Sequence, residues 1–185
     1  MPDSGDKNWP PFRPMIRHDI EADILLDEAQ ALAKRSYLIF LFYYVALLGN
    51  LAAMIVQEIT YKNVLLGIVL GIVYLLIVPP MDFFARHYSL YQGLKNDSKI
   101  SFRWFFVIQG FDILFGIFIL VGWSYGGGGG ISALVYSFRD KHYVAGAFSA
   151  LCVILISIQL FLSFKLWIDA HKYFKEKGWK LWPGK

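Results

Sequence analysis

A single acid, Asp112, interrupts a run that is otherwise uncharged from Trp104 to Phe138, and it stands about midway between Trp104 and Trp123. Burying a carboxyl in a bilayer costs roughly a few kcal/mol, so an intramembrane acid is a candidate functional group by default. No Lys, Arg or His inside the apolar runs offers it a partner. The missing cation favours a protonated or water-bonded acid that pins helix packing; an acid on an ion or proton path is the alternative. Asn50, in "ALLGN", is the second polar candidate, and an amide within a span most often bonds a neighbouring helix. Gly67 and Gly71 form a GxxxG, an offer of close helix packing.

Other chemistry is sparse. His18, His87, His142 and His171 are scattered singly, mostly beside the ends of apolar runs, as interfacial side chains rather than ligands. One cysteine, Cys152, permits no internal disulfide and no cysteine metal cluster. The run "WSYGGGGGISALVY", Trp123 to Tyr136, lacks the Lys-Ser/Thr that a phosphate loop needs after its last glycine, and reads as a compact, flexible turn. No Ser-His-Asp or Cys-His grouping, paired acids in one cleft or cofactor fingerprint assembles on one membrane face. Catalytic residues, metal and cofactor are therefore not expected, and the chain reads as a non-enzyme.

The remaining candidates lie in "MDFFARHYSLYQGLKNDSKISFRWFF", residues 81 to 106. Arg86, Lys95, Lys99 and Arg103 would attract anionic headgroups while Tyr88, Tyr91, Phe102 and Trp104 seat in the interface. Each cation near an anionic surface gains about 1 kcal/mol, so four give reversible binding. The bland alternative is a set of charges that only fixes topology.

The elements that must position these residues follow from composition. The chain has 185 residues, 57% hydrophobic and 17% charged, well under the roughly one quarter of charged residues in soluble domains. Charge is absent from Tyr37 to Gln57, Asn63 to Met81, and Tyr143 to Phe164, and Asp112 alone marks the third long run. About 20 apolar residues cross a bilayer core, and "LLGIVLGIVYLLIV" has no polar stripe such as a soluble helix shows. The expected fold is an all-α membrane protein with spans at about 37–57, 63–81, 104–123 and 143–164, making a transmembrane domain over 37–164. Residues 1–36 form a Pro-containing tail and an amphipathic helix, and 165–185 a basic aromatic tail with Trp167, Tyr173, Phe174, Trp179 and Trp182.

In "DIEADILLDEAQALAKRS" acids crowd the start and Lys34-Arg35 the end, the order that suits a helix dipole. Ile20, Ile24 and Leu32 give it an apolar face, expected to lie in the membrane interface or else to pack on the loops. Pro79-Pro80 is expected to end or kink the second span. No apolar segment precedes residue 36, so the Tyr37 run would serve as both signal and anchor. Fifteen of the eighteen Lys and Arg fall in the two tails and the 82–103 loop, and three (Lys62, Arg139, Lys141) in the other loops. Basic short loops stay cytosolic, so both termini are expected in the cytosol.

Several short motifs occur in an order that resembles the secretory carrier-associated membrane proteins. "NWPP" at Asn8 to Pro11 and "DIEADI" at Asp19 to Ile24 are similar to that family's Asn-Trp-Pro-Pro and Asp-Phe-x-x-Asp-Ile. Asn50, Pro79, "LYQGLKNDS" at Leu90 to Ser98, "FRWFF" at Phe102 to Phe106 and the glycine turn match in position. The family's Arg-Pro pair is Tyr88-Ser89 here, and its Asn-Pro-Phe repeats are absent. The resemblance implies trafficking or fusion of vesicles in the secretory and endocytic pathway, on Golgi, endosomal, vesicle or plasma membranes. It also implies a loop that touches phosphoinositide headgroups. Membrane lipids are thus the expected partners, with other membrane proteins or a second copy as further ones and no nucleic acid. The competing readings are an accessory subunit of a larger membrane complex and a small transporter using Asp112 and Asn50.

Overall fold

The computed structural model describes residues 7–10, 13–62 and 65–180, apart from the Ser124 side chain. Pro11, Asn63 at the start of the second expected span, Trp182 and Lys185 lie outside the described residues.

The chain is helical, and among the described residues the only β-type pairing is one bridge between Trp9 and Ile16. Seven α-helices follow in order: α1 (Ile20–Asp23), α2 (Asp27–Tyr61), α3 (Leu65–Met81), α4 (Tyr88–Lys95), α5 (Lys99–Val121), α6 (Ile131–Arg139) and α7 (Tyr143–Glu176). Among the described residues, four helical stretches are long and apolar enough to cross a membrane: α2, the continuous run Leu65–Lys95, α5 and α7. At 1.5 Å per residue the 35 residues of α2 extend about 52 Å, well past a hydrocarbon core of about 30 Å. The excess lies at the end of the bundle that carries residues 7–36 and the close of α7, where Arg35 pairs with Asp169.

Two sequence expectations change here. The stretch 19–36 is not one amphipathic helix. Asp19 caps α1 by accepting from the Ala22 amide at 3.0 Å, but α1 has only four residues, and Ile24 and Leu26 are extended. From Asp27 the chain is already the first turn of the first span. Its apolar face (Ala29, Leu32, Ala33) is buried with Leu90, Phe102, Phe105, Leu166, Ala170 and Phe174, against protein rather than along a lipid surface.

Of the two outcomes expected at Pro79-Pro80, an end or a kink of the second span, the end does not occur. Helix α3 runs through both prolines, then widens into a π-helical turn, Asp82–His87, and continues as α4. A proline pair removes two intrahelical N–H donors, and a π turn, whose bonds reach one residue further, lets the helix resume. The Tyr88 amide accordingly donates to Phe83 O. The expected loop 82–103 is thus a helix, interrupted only between Lys95 and Lys99 by a turn in which Ser98 caps α5. The wide turn also swings Asp82, Phe83, Arg86 and His87 inward, and all four are buried.

The core divides along the bundle. An aromatic-rich cluster fills the end that carries residues 7–36, and a second cluster of Tyr43, Ala46, Leu47, Ala53, Ile113, Ile119, Cys152 and Ile156 fills the middle. At the opposite end the glycine turn is compact, as expected, but it is followed by α6, which lies along α7 with Ala133 and Ser137 buried. Gly127 needs its φ of +76°, and a Cβ there would meet Leu70 Cβ at 2.8 Å; a Cβ on Gly130 would meet Leu120 O at 2.2 Å. Backbone approach that close admits no side chain.

Candidate functional site

The residues that could act on something meet in three places. The first is a charged layer within the bundle. Arg86 is completely buried and grips Asp82 with two donors: Nε donates to Oδ1 in a short contact, and Nη2 donates to Oδ2 at 2.7 Å. The two residues are one helical turn apart, i and i+4, so the π turn presents them on the same side. Arg86 Nη1 donates to Ser36 Oγ at 3.4 Å, and Nε lies 3.0 Å from Asp112 Oδ2 on α5. The cation that Asp112 lacked in the sequence is therefore Arg86, brought inward across the helix boundary that Pro79-Pro80 seemed to mark. A buried guanidinium with fork geometry is stable only against planar acceptors such as these.

The second place is a cap over that layer. Asn8 ties back to His18 and so closes a loop: its Nδ2 donates to His18 O at 3.0 Å, and its Oδ1 accepts from His18 N at 2.7 Å. The loop lays the Trp9 indole flat on Phe83, with ring centroids 3.4 Å apart and planes 5° from parallel. It also sets His18 Nε2 at 2.8 Å from His87 Nε2, while His87 Nδ1 lies 3.1 Å from Ser36 Oγ. Two of the four histidines are thus partners rather than separate interfacial side chains. Burial lowers the pKa of His18 against the weaker pull of Asp19 and Asp23. Below the cap, Asp23 accepts from Tyr91 Oη and pairs with Lys95 at 3.1 Å and with Arg17 at 3.3 Å. Burial pushes the Asp23 carboxyl up, but the Tyr91 and Lys95 hydrogen bonds and the two cations outweigh it, and the net shift is downward.

The third place is neutral. Asn50 bonds both the glycine turn and a neighbouring helix: Nδ2 donates to Gly127 O and Oδ1 accepts from Gly129 N, both at 2.8 Å. Cys152 Sγ donates to the same Oδ1 at 3.6 Å. One helical stretch further, Gln57 Nε2 donates to Ser137 Oγ at 2.8 Å and Ser149 Oγ at 3.0 Å, joining α2 to α6 and α7. Gly67 and Gly71 are buried on the α3 face that meets this region; a Cβ on Gly71 would touch Leu51 Cδ1 at 3.3 Å.

The six residues expected to touch headgroups are split by this geometry. Arg86 and Tyr91 are 0% exposed and leave the set that can face a headgroup, because the π turn and α4 direct them into the protein. Tyr88 is half-buried and stacks on Tyr91, and Lys95 is engaged with Asp23. Lys99 is half-buried, and Arg103 Nη2 donates to Lys180 O at 3.3 Å, next in the chain to the exposed Trp104. Phe102 is buried among Tyr173, Phe174 and Trp179. Sequence reasoning missed Asp82, Trp9 and the His18–His87 pair. The four-residue spacing of Asp82 and Arg86 was the one available signal, and it only becomes informative if the helix continues past Pro80.

Comparison with known proteins gives these features a family. The model described as the SCAMP family matches residues 6–177. The chain is similar to secretory carrier-associated membrane protein 5 of Oryza sativa subsp. japonica, with 30% identity over 95% of this chain and 62% of that protein. It is similar to protein 6 of the same name in that plant, with 31% identity over 92% of this chain and 63% of the relative. Protein 5 of Arabidopsis thaliana is 32% identical over 62% of this chain and 39% of its own length. The chain therefore spans less than two thirds of these relatives. No solved structure matches it. A family match that runs from the Asn8–His18 cap through the four long helices, with two relatives aligned over nearly the whole chain, makes this protein a member of the SCAMP family.

Proposed function

We propose that the chain is a non-enzymatic multi-pass protein of secretory and endocytic membranes that acts in vesicle trafficking or fusion. The observation that carries the reading is the SCAMP family match over residues 6–177, on a frame of four membrane-spanning helices. In this reading the end bearing residues 7–36 faces the cytosol, in keeping with the fifteen basic residues that the sequence places in the two tails and the 82–103 stretch. Anionic lipid, phosphoinositides among it, meets the corner where α5 begins and α7 ends. Lys99 and Arg103 stand there with Tyr88 and Lys95 behind them, beside exposed Ile100 and Trp104. That corner replaces the loop as the contact, since Arg86 and Tyr91 are inside. Further cations on the last turns of α7 (Lys172, Lys175) extend the same basic surface.

The experiment is reconstitution of the full chain in nanodiscs with and without a phosphoinositide. Lipid retained on the purified protein is then read by native mass spectrometry, and a tagged copy is followed to its compartment. Enrichment of the phosphoinositide that Lys99→Gln with Arg103→Gln removes supports the lipid contact, and equal retention of neutral lipid overturns it. Residence on secretory or endosomal carriers supports the trafficking role; residence confined to another organelle overturns it.

A further inference from the structure

The charged layer does not balance. Facing one another are Ser36 and Tyr43 from α2, Asp82, Arg86 and His87 from the π turn, and Gln109 and Asp112 from α5. From α7, Gln159 and Ser163 lie at the same depth, as the nearby approaches Asn50–Cys152 and Arg35–Asp169 require. With both acids ionised, two carboxylates share one guanidinium and the layer carries a net charge of −1. Two carboxylates side by side in a low dielectric repel strongly, and one of them ordinarily holds its proton.

Hydrogen bonding says which one. Arg86 Nε has a single hydrogen, and Asp82 Oδ1 takes it. Asp112 Oδ2, although 3.0 Å from that nitrogen, has no hydrogen-bond partner among the described residues. Asp82 Oδ1 and Asp112 Oδ2 thus both close on the same nitrogen, which brings the two carboxyls together where only one hydrogen is supplied. Two more polar groups at this level are buried and without partners among the described residues. They are the Tyr43 hydroxyl, which feels both acids and Arg86, and both amide atoms of Gln109, one turn before Asp112 on the same face.

We propose that Asp82 and Asp112 form a binding site for one exchangeable proton, held on Asp112 and donated to Asp82, with Tyr43 and Gln109 as its polar lining. This goes beyond the trafficking role. Binding forms one O–H bond on Asp112 with a proton taken from bulk, and release returns it; no electron moves. An alkali cation fits less well, because it would sit against the Arg86 guanidinium while both Asp82 oxygens are engaged. The His18–His87–Ser36 chain of contacts leads from the partly exposed cap to the Arg86 side of the site.

The test is infrared spectroscopy of the full chain in nanodiscs of neutral phosphatidylcholine, following the C=O stretch of a protonated carboxylic acid. The expected result is a protonated band at neutral pH that disappears as pH rises, with release of about one proton per chain. Asp112→Asn, which is isosteric and neutral, removes the band. Asp82→Asn removes it too, because Asp112 then becomes the only carboxylate of Arg86 and ionises. Circular dichroism establishes that each variant is folded, and if Asp112→Asn is not, the wild-type titration and Asp82→Asn decide. A spectrum without a protonated acid at neutral pH, or a band that survives Asp112→Asn, overturns the proposal. So does a band lost at fixed pH to sodium chloride but not to choline chloride, which would make the occupant an alkali ion.

Discussion

The bundle holds two polar layers, and they are built on opposite terms. Around Asn50 and Gln57 every partner is neutral, and the Asn50 amide meets backbone groups of the glycine turn at 2.8 Å on both sides. Around Arg86 the groups are charged, two acids face one cation, and Tyr43, Gln109 and Asp112 Oδ2 lack hydrogen-bond partners among the described residues. The neutral layer fastens a turn to the helices, and its geometry accounts for all of its residues. The charged layer keeps a buried ion system of a kind that apolar residues often replace without loss of stability, and ionisable groups at such depth mark candidate binding sites.

Breaking the charged layer should have the largest effect. Arg86→Met leaves Asp82 without its two donors, and the expected loss is about 3–5 kcal/mol of stability, the scale for stripping one partner from a buried pair. Thermal unfolding in nanodiscs checks it, and addition of Asp82→Asn and Asp112→Asn on the same chain should restore most of the loss. Asn50→Leu tests the neutral layer. It leaves Gly127 O and Gly129 N unpaired at an expected cost of about 1–3 kcal/mol, with proteolysis of the glycine turn as the local readout. If Asn50→Leu cost more than Arg86→Met, the contrast drawn above between fastening and binding would fail.

The cap sharpens the comparison by pH. Burial depresses the His18 pKa, so the unfolded or uncapped state binds the proton more readily. Stability of the cap is present above the ordinary histidine range and is lost as pH falls through and below it. Quenching of Trp9 or protection of residues 8–18 should therefore decline on acidification, and His18→Phe should flatten that decline. The smallest effect is expected on the surface. The Lys177 ammonium, its pKa raised chiefly by a hydrogen bond to Asp97, is exposed enough that Lys177→Ala should change stability by no more than about 0.5 kcal/mol.

Charge-free runs made the four spans legible, because their length and lack of a polar stripe leave no soluble alternative. Asn50 and Asp112 were legible as polar groups within long apolar runs, and Gly67 and Gly71 as a GxxxG. The bonding of these groups was not. Reading Pro79-Pro80 as a boundary put Arg86 in a loop outside the second span and left Asp112 without a cation. The π turn that reverses this has no local sequence mark beyond the two prolines, since it depends on what Asp82, Phe83 and His87 find inside. Trp9 and His18 were equally opaque, because a Pro-rich stretch reads as tail until Phe83 and His87 face it. The charges at 19–36 were read as suiting a helix dipole, yet Asp23 meets Tyr91, Lys95 and Arg17.

Residues 82–95 form a largely buried helix that carries charge inward, rather than a loop on the membrane surface. Backbone hydrogen exchange of the unmodified chain in nanodiscs reads this directly. The structure predicts that amides from Phe83 to Leu94 exchange about as slowly as those of α5. Exchange of that stretch at the rate of an open loop, with α5 still protected, would contradict it.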